Sequence, residues 1–166
     1  MRRIHLALLL GLCAWSGKPA DAGIRDACVG VGTAIVVELE RNKMYLCRNN
    51  RIEEKYRVAL GRGGFGKTKR GDLKTPRGTY GLDVGRSSDR FYRFLGVGYP
   101  TKKQKSLGYT GSAIGVHGPE RRMGRLGWIS RYKNWTAGCI AVGTIREIDS
   151  IDAWVRKHGA RRIHLQ

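Results

Sequence analysis

Several features that would place this chain in a specialised structural class are scarce. It has only 4 prolines and 4 cysteines among 166 residues, which excludes a collagen-like or disulfide-dense chain. Acidic residues are also few, with 13 Asp and Glu against 32 Lys and Arg, so the formal net charge is +19. Because 41% of the residues are hydrophobic, the chain can bury a core, and we expect one compact domain.

Long hydrophobic runs are also missing. The apolar run at residues 6–15 is shorter than the roughly 20 residues that a transmembrane helix needs. It follows Arg2-Arg3 and precedes Ala20-Asp21-Ala22, which is the arrangement of a secretory signal peptide. We therefore predict a signal peptide at residues 1–22, a mature domain at residues 23–166 and no membrane span.

Cleavage is expected after Ala22, and the exported protein is expected in the periplasm or cell envelope. We expect it to be a monomer. Lipidation of Cys13 is the alternative, but Leu12 is bulkier than the small residue that precedes the cysteine of a lipoprotein signal. Cleavage removes three basic residues and one acidic residue, so the mature chain keeps a net charge of +17.

The mature chain keeps three cysteines, so one thiol is left over if the other two pair. Cys28 and Cys47 lie on either side of a predicted strand, and a disulfide between them would stabilise the fold by about 3 kcal/mol in the loop-entropy model. Cys139 is then free. Most free cysteines are simply small buried hydrophobic residues, so the neighbours of Cys139 decide its interpretation.

Strand patterns dominate the first half of the chain, and a turn at residues 41–43 joins two of them into a β-hairpin. Residues 85–112 show no clear periodicity. A capping box that begins at Thr144 predicts a late helix, which ends at Gly159. The predicted strands are residues 33–40, 44–48, 52–60, 78–84 and 113–116.

Residues 61–68 match two phosphate-binding patterns, the P-loop and the dinucleotide fingerprint. Both patterns require a helix directly afterwards, whereas residues 69–76 contain Gly71 and Pro76. We therefore interpret this segment as a basic glycine loop. The basic and aromatic residues 90–105 suit nucleic acid only superficially, and no nucleic-acid partner is expected.

The residues that carry chemistry lie in two short strings, residues 114–118 (I-G-V-H-G) and 134–142 (N-W-T-A-G-C-I-A-V). A histidine and a thiol are the minimum for nucleophilic acyl transfer. His117 would accept the thiol proton of Cys139, and the backbone N–H groups of Gly138 and Cys139 would face the developing oxyanion. The spacing alone does not establish that His117 and Cys139 meet.

These strings, with three further motifs, resemble the L,D-transpeptidase catalytic domain, or YkuD domain, of bacterial cell-wall enzymes. The resemblance covers most of the mature chain, and its five motifs occur in order. They are the hairpin at 33–48, the glycine loop at 61–66, T-P-x-G at 75–78, H-G at 117–118 and T-x-G-C-I at 136–140.

The resemblance implies a mostly β fold, sandwich-like or barrel-like, with a short C-terminal helix. It implies Cys139 as the nucleophile within an element that includes Thr136 and Gly138, and His117 as the general base, oriented by a backbone carbonyl. We expect the thiolate and the imidazolium to form an ion pair. No metal and no organic cofactor are expected, because the sequence has no close cluster of ligand residues.

Two departures from the family pattern affect the substrate site. Many members carry a histidine at the position of Ala137 and a substrate-binding arginine at the position of Ala141. We therefore expect other residues to contact the substrate, and the segment between Gly118 and Thr136 to fold over the cleft. The candidate substrate-binding residues are Trp135, Gly118, Arg121, Arg122, Arg125 and Arg131.

The function implied by the resemblance is peptidoglycan L,D-transpeptidation, in which a stem tetrapeptide forms a thioester with Cys139 and is passed to an amine. The alternative is a hydrolase of the same fold that releases a wall-attached peptide or lipoprotein. A basic wall-binding module with an inert Cys139 is the non-enzymatic alternative. The expected partners are peptidoglycan stem peptides and a wall-attached lipoprotein, whose anionic surroundings would attract a basic protein.

Overall fold

The computed structural model describes residues 27–166, without the side chains of residues 124 and 125. The predicted signal peptide and its cleavage site lie outside the described residues. Within the described range, no helix is both long and apolar enough to cross a bilayer.

The described part of the chain is mostly β, with short helices between the strands. Its strands are β1 (Ala34–Glu38), β2 (Lys43–Arg48), β3 (Arg51–Arg57), β4 (Gly78–Gly81), β5 (Arg86–Ser88), β6 (Tyr92–Gly96), β7 (Gly115–His117), β8 (Ile140–Ala141) and β9 (Arg162–Leu165). Its α-helices are α1 (Lys102–Ser106), α2 (Gly127–Ser130) and α3 (Ile145–His158), and a 3-10 helix covers Arg121–Leu126.

The strands form two mixed sheets, which confirms the predicted fold class. One sheet has five strands in the order β3-β2-β1-β9-β4, and the other has four in the order β5-β6-β7-β8. Strands β1 and β2 form the predicted antiparallel hairpin, whereas β1 with β9 and β7 with β8 are parallel pairs. Helix α3 lies near the predicted bounds, because Thr144 and Glu147 form the capping box and Gly159 adopts a left-handed conformation with φ 62°.

The main core is a single apolar cluster that joins both sheets and α3. Ile35 and Leu46 contribute from the five-stranded sheet, Leu95 and Val116 from the four-stranded sheet, and Ile148 from α3. Burial of side chains of this size stabilises the fold by about 1.5–3 kcal/mol each.

A smaller cluster covers the other face of β1 and β2. Cys28 and Cys47 lie in it, are joined by a disulfide with a Cα–Cα distance of 5.3 Å, and pack with Val36 and Tyr45. The bond ties the segment before β1 to β2.

Two segments differ from the sequence prediction. Residues 85–112, which show no periodicity, contain β5, β6 and α1. Strands β5 and β6 are short and carry arginine and aromatic residues, so the hydrophobic alternation of a strand is hidden. The strand predicted at 52–60 ends at Arg57, because Ala59 leaves the five-stranded sheet and pairs with Ala141 of β8.

Candidate active site

The turn that presents Cys139 is held in place from both ends. Asn134 precedes the turn, and its Oδ1 accepts hydrogen bonds from Asn42 Nδ2 at 2.7 Å and from Leu60 N at 2.9 Å. Thr136 Oγ1 then accepts from Gly138 N at 3.1 Å and donates to Cys139 O at 2.7 Å. These contacts fix the backbone on which the thiol is carried.

Glycine is required at position 138 for two reasons. Its φ of 129° is rarely adopted by residues with a side chain. A Cβ atom there would also lie only 2.5 Å from the carbonyl oxygen of Lys74, which belongs to the T-P-x-G region of the chain. The nucleophile turn therefore packs directly on the backbone of another segment.

The glycine loop supports that same segment. Gly61 N donates to Thr75 Oγ1 at 2.9 Å, and Gly66 N donates to Thr75 O at 2.8 Å. Gly61 also forms a parallel bridge with Thr136. The loop therefore links the T-P-x-G turn to the nucleophile turn.

Parallel pairing of β7 with β8 brings His117 and Cys139 together. Val116 is paired with Ile140 and His117 with Ala141, so Gly115 lies beside Cys139. Gly115 and His117 are two residues apart on β7, so they share one face of the sheet. Cys139, which lies beside Gly115, is therefore on the same side as His117. Both His117 and Cys139 line one cleft of about 530 Å³.

The imidazole of His117 is buried, with 1% of its surface exposed, and it stacks on Phe91 at a centroid distance of 3.8 Å. Its Nδ1 lies 2.7 Å from the carbonyl oxygen of Gly118, the kind of partner that the resemblance implied. A carbonyl only accepts, so Nδ1 carries the proton and Nε2 is left as the acceptor. Burial, with a smaller contribution from the charge of Arg90, lowers the pKa of His117 to about 4.

The thiol of Cys139 is less enclosed than the imidazole, because Cys139 is only partly buried. Its Sγ donates to Ala113 O at 3.4 Å, and burial raises its pKa, although the N–H of Gly115 and the cations Arg90 and Lys67 oppose that shift. A raised thiol pKa beside a lowered imidazole pKa favours two neutral groups. Burial therefore disfavours the expected thiolate–imidazolium pair, because it opposes both charges.

The backbone donors also differ from expectation. The N–H of Gly138 donates to Thr136 Oγ1 and is not directed at the space beside the thiol. The N–H of Cys139 has no hydrogen-bond acceptor in the described part of the chain. Of the two expected oxyanion donors, only that of Cys139 is available.

The substrate-binding residues expected from sequence are separated in space. Trp135 lines the cleft, and Gly118 contacts His117 through its carbonyl. Arg121 and Arg122 instead border a separate depression of about 350 Å³ with Glu120, to which Arg122 donates at 2.6 Å.

Arg131 is also directed away from the cleft. It donates to Glu147 Oε1 at 2.5 Å, at the start of α3. The side chain of Arg125 lies outside the described residues. Arg121, Arg122 and Arg131 therefore do not line the cleft in this structure, and each has a protein partner elsewhere.

Three other arginines, Arg62, Arg86 and Arg90, line the cleft together with Phe91 and Phe94. Sequence reasoning missed them, because their segments reach the cleft only through sheet pairing and bridges. For Arg86 the link to the site is the strand register, which pairs Arg86 with Phe94 and Phe94 with His117 and cannot be read from the sequence.

Cys139 also borders a second cleft of about 330 Å³, which Lys67 and Arg70 line as well. Lys67 is buried and donates to Asp72 Oδ1 at 2.7 Å, and Asp72 also accepts from the backbone N–H groups of Thr68 and Lys69. Within residues 27–166, no group of three or more His, Cys, Asp or Glu side chains is arranged to hold a metal ion.

Comparison with known proteins gives one family match. The model of the YkuD family, described as the L,D-transpeptidase catalytic domain, matches residues 32–159. Among curated proteins, the putative L,D-transpeptidase YafK of Escherichia coli K12 is 29% identical over 68 residues, which cover 39% of this chain and 28% of YafK.

Solved structures with the same fold include two proteins that are similar to this chain. The helical cell shape determining protein Pgp2 of Campylobacter jejuni matches with a TM-score of 0.67 and 20% identity, over 87% of this chain and 52% of Pgp2. Bd1075 of Bdellovibrio bacteriovorus matches with a TM-score of 0.55 and 21% identity, over 80% of this chain and 46% of Bd1075. The chain thus spans about half the length of these structures and a smaller part of YafK.

Proposed function

Because the chain belongs to the L,D-transpeptidase catalytic domain family, we propose that it forms a thioester between Cys139 and peptidoglycan stem peptides. The observation that carries the proposal is the cleft shared by Cys139 and His117, in which Nε2 of the imidazole is left as the proton acceptor. Family members of this kind are enzymes, and the two residues supply a nucleophile and a base.

The proposed reaction begins with attack of Cys139 Sγ on the carbonyl carbon that precedes the terminal D-residue of a tetrapeptide. His117 Nε2 accepts the thiol proton, and the N–H of Cys139 donates to the oxyanion. The C–N bond then breaks, the leaving amine takes the proton from His117, and the thioester remains. An amine acceptor attacks that thioester, which releases the thiol and completes L,D-transpeptidation.

Hydrolysis of the same thioester is the second candidate, and one observation favours it. The segment expected to close over the cleft contributes no cleft-lining side chain between Gly118 and Lys133, as far as the structure describes that segment. Water exclusion is what favours an amine over water at an acyl-enzyme. A hydrolase of this type would shorten stem peptides or release a wall-attached lipoprotein.

The proposed setting is the cell envelope after export, where the basic surface would be attracted to anionic wall polymers. The structural similarity to the cell shape determining protein Pgp2 supports a role in peptidoglycan remodelling and cell shape.

The test is incubation of the purified mature chain with disaccharide tetrapeptide and a free D-amino acid, followed by mass spectrometry. Cross-linked dimers or exchange of the terminal residue support transfer, whereas shortened peptides alone support hydrolysis. Cys139→Ala is the control and should give no product. If wild type and this variant give the same products, the proposal is wrong.

A further inference from the structure

The three arginines that line the catalytic cleft differ in their partners. Arg90 is paired with the buried Glu120, to which its Nε donates at 3.0 Å, and it lies over the ring of Phe91. Arg62 and Arg86 have neither an ion pair nor a side-chain hydrogen bond among the described residues. Two cations of the cleft are therefore available to a ligand.

Arg86 is distinguished by its place in a row of residues that crosses the four-stranded sheet. Arg86 pairs with Phe94, Phe94 pairs with His117, and His117 pairs with Ala141. Paired residues on neighbouring strands share a face. The row therefore runs from the sheet edge at Arg86 directly to the proposed catalytic histidine.

Ring stacking holds the guanidinium of Arg86 along this row. Its Cζ lies over the Phe94 ring at 5.1 Å from the centroid, and the Phe94 ring is parallel to the imidazole of His117, with a centroid distance of 6.3 Å and an interplanar angle of 10°. A cation held on an aromatic face loses less side-chain freedom when it binds an anion. No ring holds Arg62 in this way in the part of the chain that is described.

These distances define where a bound anion would lie. Together they place the guanidinium carbon of Arg86 within about 11 Å of the centre of the imidazole. An extended peptide spans about 3.3–3.6 Å per residue, and a carboxylate stands roughly 3–4 Å from the guanidinium that binds it. The recognised carboxylate is thus within a few residues of the reacting carbonyl.

We propose that Arg86 is a specificity-determining residue that binds a carboxylate of the peptide substrate at this distance from the reacting bond. The proposal rests on the proposed function, because it concerns the same cleft. Many family members carry a substrate-binding arginine at the position of Ala141, and this chain lacks that cation. Arg86 on β5 would supply a carboxylate-binding cation to the cleft instead. The proposed substrate class is peptides with a free carboxylate within a few residues of the scissile amide.

The test measures binding rather than turnover, in the full mature chain that carries Cys139→Ala. Titration calorimetry would compare a stem tetrapeptide with the same peptide whose carboxylates are converted one at a time to carboxamides. Arg86→Gln is expected to weaken binding of the free-carboxylate peptide about tenfold, as for loss of one charge-assisted pair. For one carboxamide peptide, the variant and its parent are expected to bind equally.

Two further variants separate recognition from a change of net charge or fold. Arg51→Gln removes the same charge from the exposed edge strand β3 and should leave all affinities unchanged. Arg86→Lys should recover only part of the affinity, because lysine lacks the planar fork. A melting temperature equal to that of the parent shows that the Gln variant is folded.

Three results overturn the proposal. In the first, Arg86→Gln weakens binding of the free-carboxylate peptide and of every carboxamide peptide equally. In the second, Arg62→Gln rather than Arg86→Gln weakens binding of the free-carboxylate peptide selectively. In the third, Arg86→Gln does not weaken binding of any peptide. Failure of the proposed function has a different signature, which is that the parent chain binds no stem peptide and the wild-type chain forms no acyl-enzyme.

Discussion

His117 combines nearly complete burial with a free ring nitrogen in the cleft, so its environment decides the pH at which the proposed reaction runs. A histidine in water titrates near pH 6.5, whereas burial lowers the pKa of His117 to about 4. A general base acts in its neutral form. The imidazole is therefore expected to remain competent in acidic surroundings.

We predict that the rate of Cys139 acylation by a stem peptide rises with pH through a midpoint near 4. Above that pH the folded enzyme has a neutral imidazole, and below it the protonated imidazole cannot accept the thiol proton. Mass spectrometry of the acyl-enzyme at a series of pH values measures the midpoint. A midpoint near 6.5 would show that His117 titrates as it does in water.

A second prediction concerns the thiol. Alkylation by iodoacetamide requires the thiolate, and burial raises the pKa of Cys139, so the alkylation rate should be low at pH 7 and increase above pH 9. In His117→Ala the pH midpoint of Cys139 alkylation should not increase further, because the variant loses no ion pair and water enters the site. An increase of the midpoint in that variant would instead support a thiolate–imidazolium pair.

At this scale, the spacing of the motifs did not establish that His117 and Cys139 meet, and only the family resemblance implied that they act together. In the structure both residues line one cleft. The motifs did not predict the hydrogen bond from Gly138 N to Thr136, which depends on the local turn conformation. Nor did they predict Arg62, Arg86 and Arg90, which meet only after distant strands have paired.

Among the elements, the nucleophile turn tolerates the least change. We predict that Gly138→Ala destabilises the fold by about 1–3 kcal/mol or more, since it combines an unfavourable φ with a Cβ that would lie 2.5 Å from Lys74 O. Thioester formation should decrease at least as strongly, because the same shift moves Cys139. Urea unfolding and acylation rates measure the two effects.

Gly108→Ala is the matched control for that variant. Gly108 also has a positive φ, 79°, but no atom lies within 4 Å of the position of its Cβ. It should lose only the conformational part, about 1 kcal/mol, and keep its acylation rate. If the two variants lose the same stability and activity, contact with Lys74 is unimportant.

Local signals explain which elements were predictable. The β1–β2 hairpin and α3 were predictable because short local patterns specify them. These patterns are β-branched runs and a turn for the hairpin, and a capping box for α3. The short strands β5 and β6 carry side chains that line the cleft, so their pattern is not that of a half-buried strand. The early end of β3 was not predictable, because Ala59 pairs with Ala141, which is far away in sequence.

For the whole molecule, the disulfide between Cys28 and Cys47 is the covalent restraint that the structure describes. We predict that Cys28→Ser with Cys47→Ser lowers the free energy of unfolding by about 3 kcal/mol, because a 19-residue separation no longer restricts the unfolded chain. Denaturant unfolding of this variant and of the oxidised wild type gives the difference.

Reduction of the wild type supplies an independent comparison, because it opens the same bond without changing the sequence. Its stability should fall to that of the double variant, while the reactivity of Cys139 remains unchanged. Unaltered stability on reduction would show that packing around Val36 and Tyr45 alone holds this region.

The position of β9 has a consequence for the order of folding. This strand lies between β1 and β4, and it pairs residues 163–165 with residues 35–37, near the other end of the described chain. Because these contacts join residues far apart in sequence, the five-stranded sheet cannot be completed until β9 is present. For a chain that crosses a membrane unfolded, the N-terminal hairpin would emerge without its parallel neighbour and remain loosely structured. If the chain is exported as proposed, translocation would precede closure of the five-stranded sheet, and the cleft that holds His117 and Cys139 would be assembled only after export.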